Sequence, residues 1–499
     1  MALALVLVLA AALAVQLGLW AWIQAGWRRA VEASPEPAGG GSAEDGSAED
    51  GSAEDGSAAP PLPISVIVAA HDEAERLPAL LNALAAQTHR SADGDALFEI
   101  VVVDDRSTDG TADAVTSRAD GFPAPLRLVR IAPDDAPETV YYPPGLWSGE
   151  AEVAMAPKKR ALTRGIAAAH HERLAFTDAD TAPPPTWLAT LARHASTGDA
   201  AAGDAAAGDA GAGDAIGASD APRPTRMPVR AQRAVPLPRT ALPRNPASGI
   251  ADALPRNPAS GHADGHADGH ADGHADGHAD GHADGHAVLV GYGPLTGDGL
   301  LGRFARYETT VTALLSAAAI GHGRPWHAVG RNLSYTRATF EAADGFRPFA
   351  ESLSGDDDLF VQQVARRGTA PVRAVLDAAA FVPSPAPPTW RAFWRQKRRH
   401  SSGGAFYDAR VLRALGALQA SRAVLWVGAP VLHLVFGAPW GWGLLAARLL
   451  VQRAVLSNAW ETLGAEGDLR LWHPVLDALY TAYQGVAATL SLLPVPRRW

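Results

Sequence analysis

The chain has no cysteine among its 499 residues. That excludes disulfides, thiolate metal sites and a cysteine nucleophile. Charge is missing as well: no charged side chain occurs before Arg28. The formal net charge of −10 is shallow, because twelve acids sit in the tandem repeats "GSAEDGSAEDGSAED" and "HADG". Without them the remainder stands at about +2, a nearly neutral balance that carries no nucleic-acid signature. Nucleic acid is therefore not an expected partner.

What is present divides the chain. Residues 1–27 carry no charge and are predominantly apolar, long enough for a bilayer, which takes roughly 20 residues. Positive charge follows the apolar run instead of preceding it, unlike a cleaved signal peptide. The run is expected to be an uncleaved anchor with the following chain cytoplasmic. Residues 28–61 are rich in Pro, Gly, Ser and acid, the composition of a solvated tether. From residue 62 the texture alternates. "ISVIVAA", "EIVVVDD", "LRLVRI" and "RLAF" read as buried strands, with helical stretches between them. Such alternation predicts an α/β fold with a mostly parallel sheet covered by helices on both faces.

This half, 62–195, is separated from a second, 288–385, by a low-complexity insert over 196–287. The insert carries seven histidines in its "HADG" array, whose composition also permits weak metal binding. Residues 386–410 mix Trp, Phe and Arg, as does a helix lying in a headgroup layer. Residues 411–499 are dense in Trp and Leu and are expected to form two to four membrane passages. Arg448 and Arg453 fall inside them, where arginines near helix ends can snorkel.

The stretch "LAFTDADTAPPPTWL" bears most directly on chemistry. Its prolines end a strand, because they lack the N–H that a sheet needs. Asp178 and Asp180 then stand at the strand end, where open α/β sheets bind ligands. Residues two apart point the same way, and paired carboxylates suit Mg²⁺ or Mn²⁺ holding a phosphate.

Further motifs occur in order: "SVIVAAHDEAERL", "VVVDDRSTDGT", "KKRAL", "GRNLSYTRATFEAADGF", "SLSGDDDLFVQQVARRG" and "RQKRRH". Together they resemble the membrane-anchored family 2 glycosyltransferases, the group of cellulose-synthase-like and hyaluronan-synthase-like enzymes. The resemblance covers roughly residues 62–195 and 288–403. It implies a GT-A, Rossmann-like catalytic domain that inverts configuration while moving a sugar from a UDP-linked donor. The acceptor would be a lipid or a growing glycan at the cytoplasmic face of a membrane. It further implies nucleotide-sugar contacts at Glu73, Asp104, Asp105, Lys158, Asp178, Gln396 and Arg399. A divalent ion is implied at Asp180 with Asp178, and acceptor-side roles at Asn332 and His400. The general base is Asp356 by spacing to Leu359, or Asp357 by the Gly-Asp-Asp reading, with Asp357 preferred. His400 departs from the tryptophan of the family pattern, which weakens the case for a processive enzyme. Two other classes fit parts of the chain: a silent nucleotide-binding scaffold, and a metal-handling membrane protein using the "HADG" array.

Overall fold

A computed structural model describes residues 1–35, 62–132, 134–135, 139–142, 151–196, 286–465 and 467–490. The acidic tandem repeat and nearly all of the insert lie outside the described residues. So does the "HADG" array apart from its last histidine, His286.

Seven strands form one sheet. In chain order they are β1 (Ile64–Ala70), β2 (Phe98–Asp105), β3 (Leu126–Ile131), β6 (Arg173–Phe176), β7 (Val288–Gly291), β9 (Leu333–Thr336) and β10 (Val372–Val375). Two-residue pieces, β8 (Leu295–Thr296) and β11 (Ser384–Pro385), pair apart from it, as does a hairpin of β4 (Thr139–Tyr142) and β5 (Ala151–Ala154). The order across the main sheet is β10-β7-β9-β6-β1-β2-β3. All neighbours are parallel except β9, which runs antiparallel to both β6 and β7. The sheet is thus mostly parallel, as expected, with one reversed strand that the alternation did not indicate.

Burial explains the strand compositions. β2 is buried along its whole length, and β1 everywhere but Ala69. Side chains alternate across the sheet. Ile64, Val66 and Val68 pack with α2 (Leu77–Ala85) and α5 (Trp187–Ser196) on one face. Ile67 packs on the other face, with α4 (Pro157–Ala168) and α6 (Gly299–Gly321). A strand covered on both sides needs no polar positions, hence the unbroken apolar runs. Three more helices complete the part of the chain built around the sheet: α3 (Thr111–Ala119), α7 (Arg337–Ala342) and α8 (Asp358–Arg367).

Helix α1 extends over Ala2–Glu32, five residues past the expected anchor boundary. At its far end it crosses α6 at close range. A Cβ on Gly26 would lie 2.2 Å from the Ala318 carbonyl, and one on Gly321 2.0 Å from the Gly26 carbonyl. The Trp22 and His322 rings stack at 4.2 Å beside this crossing. After α9 (Trp390–Ser401), three helices follow: α10 (Ala409–Phe436), α11 (Gly441–Thr462) and α12 (Gly467–Leu490). They bundle with α1. Among the described residues, only α1 and α10 are long and apolar enough to cross a membrane. Arg448 corrects the sequence reading: it does not snorkel outward but is fully buried, donating 3.0 Å to the Asp477 carboxylate and 3.2 Å to Gln16 of α1. An arginine in mid-helix is cheapest where an anion meets it.

Candidate active site

The turns after β1 and β2 lock each other. Asp72, at φ 55°, accepts from the Thr108 N–H at 2.8 Å, and Asp109 accepts from the Ala74 N–H at 3.0 Å. These acids of the "HDE" and "STDGT" motifs hold backbone and leave Glu73 to face the cleft. Burial raises the Glu73 carboxyl, against Arg76 at 3.1 Å, and the charges of Asp180 and Asp178 add to the rise.

Asp104 and Asp105 end β2, both buried. Asp105 is held by Arg106 and by Arg160 at 3.1 Å, while Asp104 accepts from the Ser107 N–H at 3.1 Å. Neither lines the cleft that receives the other acids.

The start of α4 fans three cations into three places. Lys158 reaches the cleft, Lys159 donates to the Ser352 and Ser354 carbonyls at 2.5 and 2.6 Å, and Arg160 meets Asp105. Cations at a helix N-terminus are disfavoured by its dipole, so each has oxygen partners. Lys158 lies 3.1 Å from Asp178, just past β6, and 3.0 Å from Asp356, just before α8. Burial opposes its charge, but Asp178, Asp356 and Asp357 outweigh burial and hold the ammonium well above the ordinary lysine value.

The acid trio is not uniform. Burial raises Asp356, yet Lys158 and Lys159 overcome it and hold that carboxyl below the usual value. Asp357 caps α8, accepting from the Asp358 N–H at 2.8 Å and the Gly330 N–H at 2.9 Å. Burial and the Asp356 charge push it up. Asp358, pushed up further by burial and Asp357, accepts from the Tyr407 hydroxyl.

A cleft of 720 Å³ joins these groups. Glu73, Lys158, Asp178, Asp180, Asp356, Asp357, Gln396, Arg399 and His400 all line it. Asn332 does not. It is fully buried, donating to the Tyr292 and Ala380 carbonyls at 2.8 and 2.7 Å and accepting from Trp187 at 3.0 Å. This corrects the acceptor-side expectation, since every polar atom of Asn332 is spent on the core. Asn332→Ala should lower the unfolding free energy by about 1–3 kcal/mol through the partners it strands. Denaturant titration reads that loss.

Three cleft residues were not singled out in the sequence. Arg331 donates to the Gly293 carbonyl, and its Nε has no partner among the described residues. Lys397 pairs with Glu308 at 2.7 Å. The signal for Arg331 was its place beside Asn332; Glu308 sits in mid-helix and gave none.

Burial and the Asp178 charge raise the Asp180 carboxyl. Glu73, Asp178 and Asp180 all line the cleft, with Arg76 3.1 Å from Glu73 and Lys158 3.1 Å from Asp178, while Asp180 has no ion pair within 4 Å among the described residues. Among the described residues no three such groups converge as a ready metal cage. One or two carboxylates awaiting a cation that also takes phosphate oxygens is the habit of Mg²⁺, and the donor set here fits that type of binding.

Residues 65–132 match the family model of Glycosyl transferase family 2. No curated protein matches the chain. Among similar solved structures, the mannosyltransferase PcManGT from Pyrobaculum calidifontis, in complex with GDP-Man and Mn²⁺, is 16% identical, with 97% of this chain and 99% of that chain covered at a TM-score of 0.41. TarS from S. aureus is 16% identical over 85% of this chain and 53% of its own, at a TM-score of 0.32. Its fragment 1–349 in complex with UDP-GlcNAc is 15% identical, covering 83% and 88%, also at 0.32.

Proposed function

We propose that this chain is a membrane-bound inverting glycosyltransferase that uses a nucleotide-diphosphate sugar, UDP-linked, and a hydroxyl of a lipid or growing glycan. The observation that carries the reading is the Lys158 ammonium. It ties Asp178, past the end of the central strand β6 that pairs with β1 of the family-matched segment, to Asp356, in the acid trio, across one cleft.

In this mechanism Asp357 takes the proton of the acceptor hydroxyl. It is the partner of the Asp356–Asp357 pair whose proton affinity is raised, which suits a base. The freed oxygen forms its bond to the anomeric carbon on the side opposite the diphosphate, whose own bond to that carbon breaks. Configuration inverts. Lys158, Arg331 and Arg399 face the cleft as cations for the departing diphosphate; an arginine fork matches phosphate oxygens. A Mg²⁺ or Mn²⁺ ion held by Asp180 with Asp178 would supply further positive charge to that leaving group. Helices α1 and α10 would cross the bilayer, with Arg28 and Arg29 placing the catalytic domain on the cytoplasmic side.

Purified protein in detergent should release UDP from a UDP-sugar only with a divalent ion present. Asp180→Ala should lower that release by about 10²-fold or more. Full turnover in the variant would remove Asp180 from the reading.

A further inference from the structure

The cleft does not stop at the acids. It runs on between the start of α10 and the end of α12. From α10 it is lined by Leu412, Leu415, Gly416 and Gln419. That spacing of three, four and seven is one face of a helix. From α12 Tyr480, Tyr483 and Ala487 line it in the same rhythm. This arm therefore has two helix faces as walls, and small residues keep it open. A Cβ built on Gly416 meets nothing within 4 Å. The arm also opens sideways: Leu412 lines it yet is 47% exposed. Farther along the same helix the outer surface is apolar, with Val427, Leu434 and Val435 exposed.

We propose that this arm receives the hydrocarbon part of the acceptor, so that the acceptor is an amphiphile with a hydroxyl at one end. The hydroxyl reaches Asp357 while the tail lies between α10 and α12, entering laterally from the apolar side of the bundle. A glycan would bring hydroxyls on every ring, each costing free energy if buried without a partner; Gln419, Gln484 and the two tyrosine hydroxyls offer partners at a few points of the arm, while its Leu, Gly and Ala positions offer none. The arm is continuous with the acid trio, so head and tail of one molecule fill one cavity. The inference rests on the transferase reading above and narrows its acceptor to lipids.

The test uses the full-length protein in mixed micelles with labelled UDP- and GDP-sugars. Butanol, dodecanol, hexadecanol and maltohexaose serve as acceptors. Each methylene that enters a dry groove should raise kcat/KM about fourfold until the groove is filled. Dodecanol should therefore exceed butanol by well over tenfold, with the glycosylated alcohol identified by mass. Gly416→Leu should shrink that chain-length ratio at least about tenfold, because the new side chain occupies several methylenes of the groove. Its unfolding midpoint separates this effect from misfolding. Equal use of butanol and hexadecanol, or preference for maltohexaose, overturns the amphiphile and leaves the transferase standing. No diphosphate release from any donor removes the transferase reading, and the inference with it.

Discussion

Asp357→Asn should lower kcat for sugar transfer by about 10²–10⁴-fold, the usual range for loss of a general base. The carboxylate cannot be replaced from nearby. Asp356 is neutralised by Lys158 at 3.0 Å, and Asp358 is bonded to Tyr407. An asparagine keeps one acceptor for the Gly330 or Asp358 N–H but turns an amide nitrogen toward the other. Some stability is lost too, so the measurement is single-turnover chemistry on protein shown to be folded. The pH profile gives a second check. In the proposed mechanism Asp357 works only when ionised, and burial with the Asp356 charge raises its pKa. Activity should therefore fall, as pH drops, at values above the ordinary carboxylate range. Lys158 lowers the Asp357 pKa. Lys158→Met should thus move the acidic limb upward in pH; an unmoved limb would assign the ionisation elsewhere.

Asp477→Ala should destabilise the helical bundle by about 3–5 kcal/mol, as does breaking a buried ion pair by removing one partner. The carboxylate accepts from Arg448, Gln452 at 2.9 Å and Trp426 at 2.8 Å, with Arg422 at 3.9 Å. All three charged groups are fully buried. Without Asp477, two guanidinium groups remain among four helices with no anion. The triple variant Arg422→Met with Arg448→Met and Asp477→Leu should be much milder, because it removes all three buried charges together. Thermal unfolding in detergent, with the single and triple variants compared, decides. Equal losses would mean that the pair contributes little beyond packing volume.

The sequence was most legible where one stretch carries its own constraint. Unbroken apolar runs marked β1, β2 and β6, since a doubly covered strand has no polar face. Prolines after Thr181 marked the strand end that exposes Asp178 and Asp180. What failed depended on partners far away in the chain. "LSYT" is too short to show direction, and its antiparallel pairing with β6 and β7 rests on strands more than 150 and 40 residues earlier. Asn332 read as a ligand contact because asparagine is polar; its partners Trp187, Tyr292 and Ala380 span 193 positions of sequence. Arg448 read as a snorkelling residue because Asp477 lies on the next helix. Lys158 stood out in the sequence as a cation, while its bridging of two acids was not legible, because Asp356 comes 198 residues later.

The glycine crossing joins α1 directly to a wall of the cleft. Backbone meets backbone at Gly26 and Gly321, and α6 itself walls the cleft through Glu308 and Ala313. Under the membrane reading proposed above, that joint, and not the tether, sets the height and tilt of the cleft relative to the lipid.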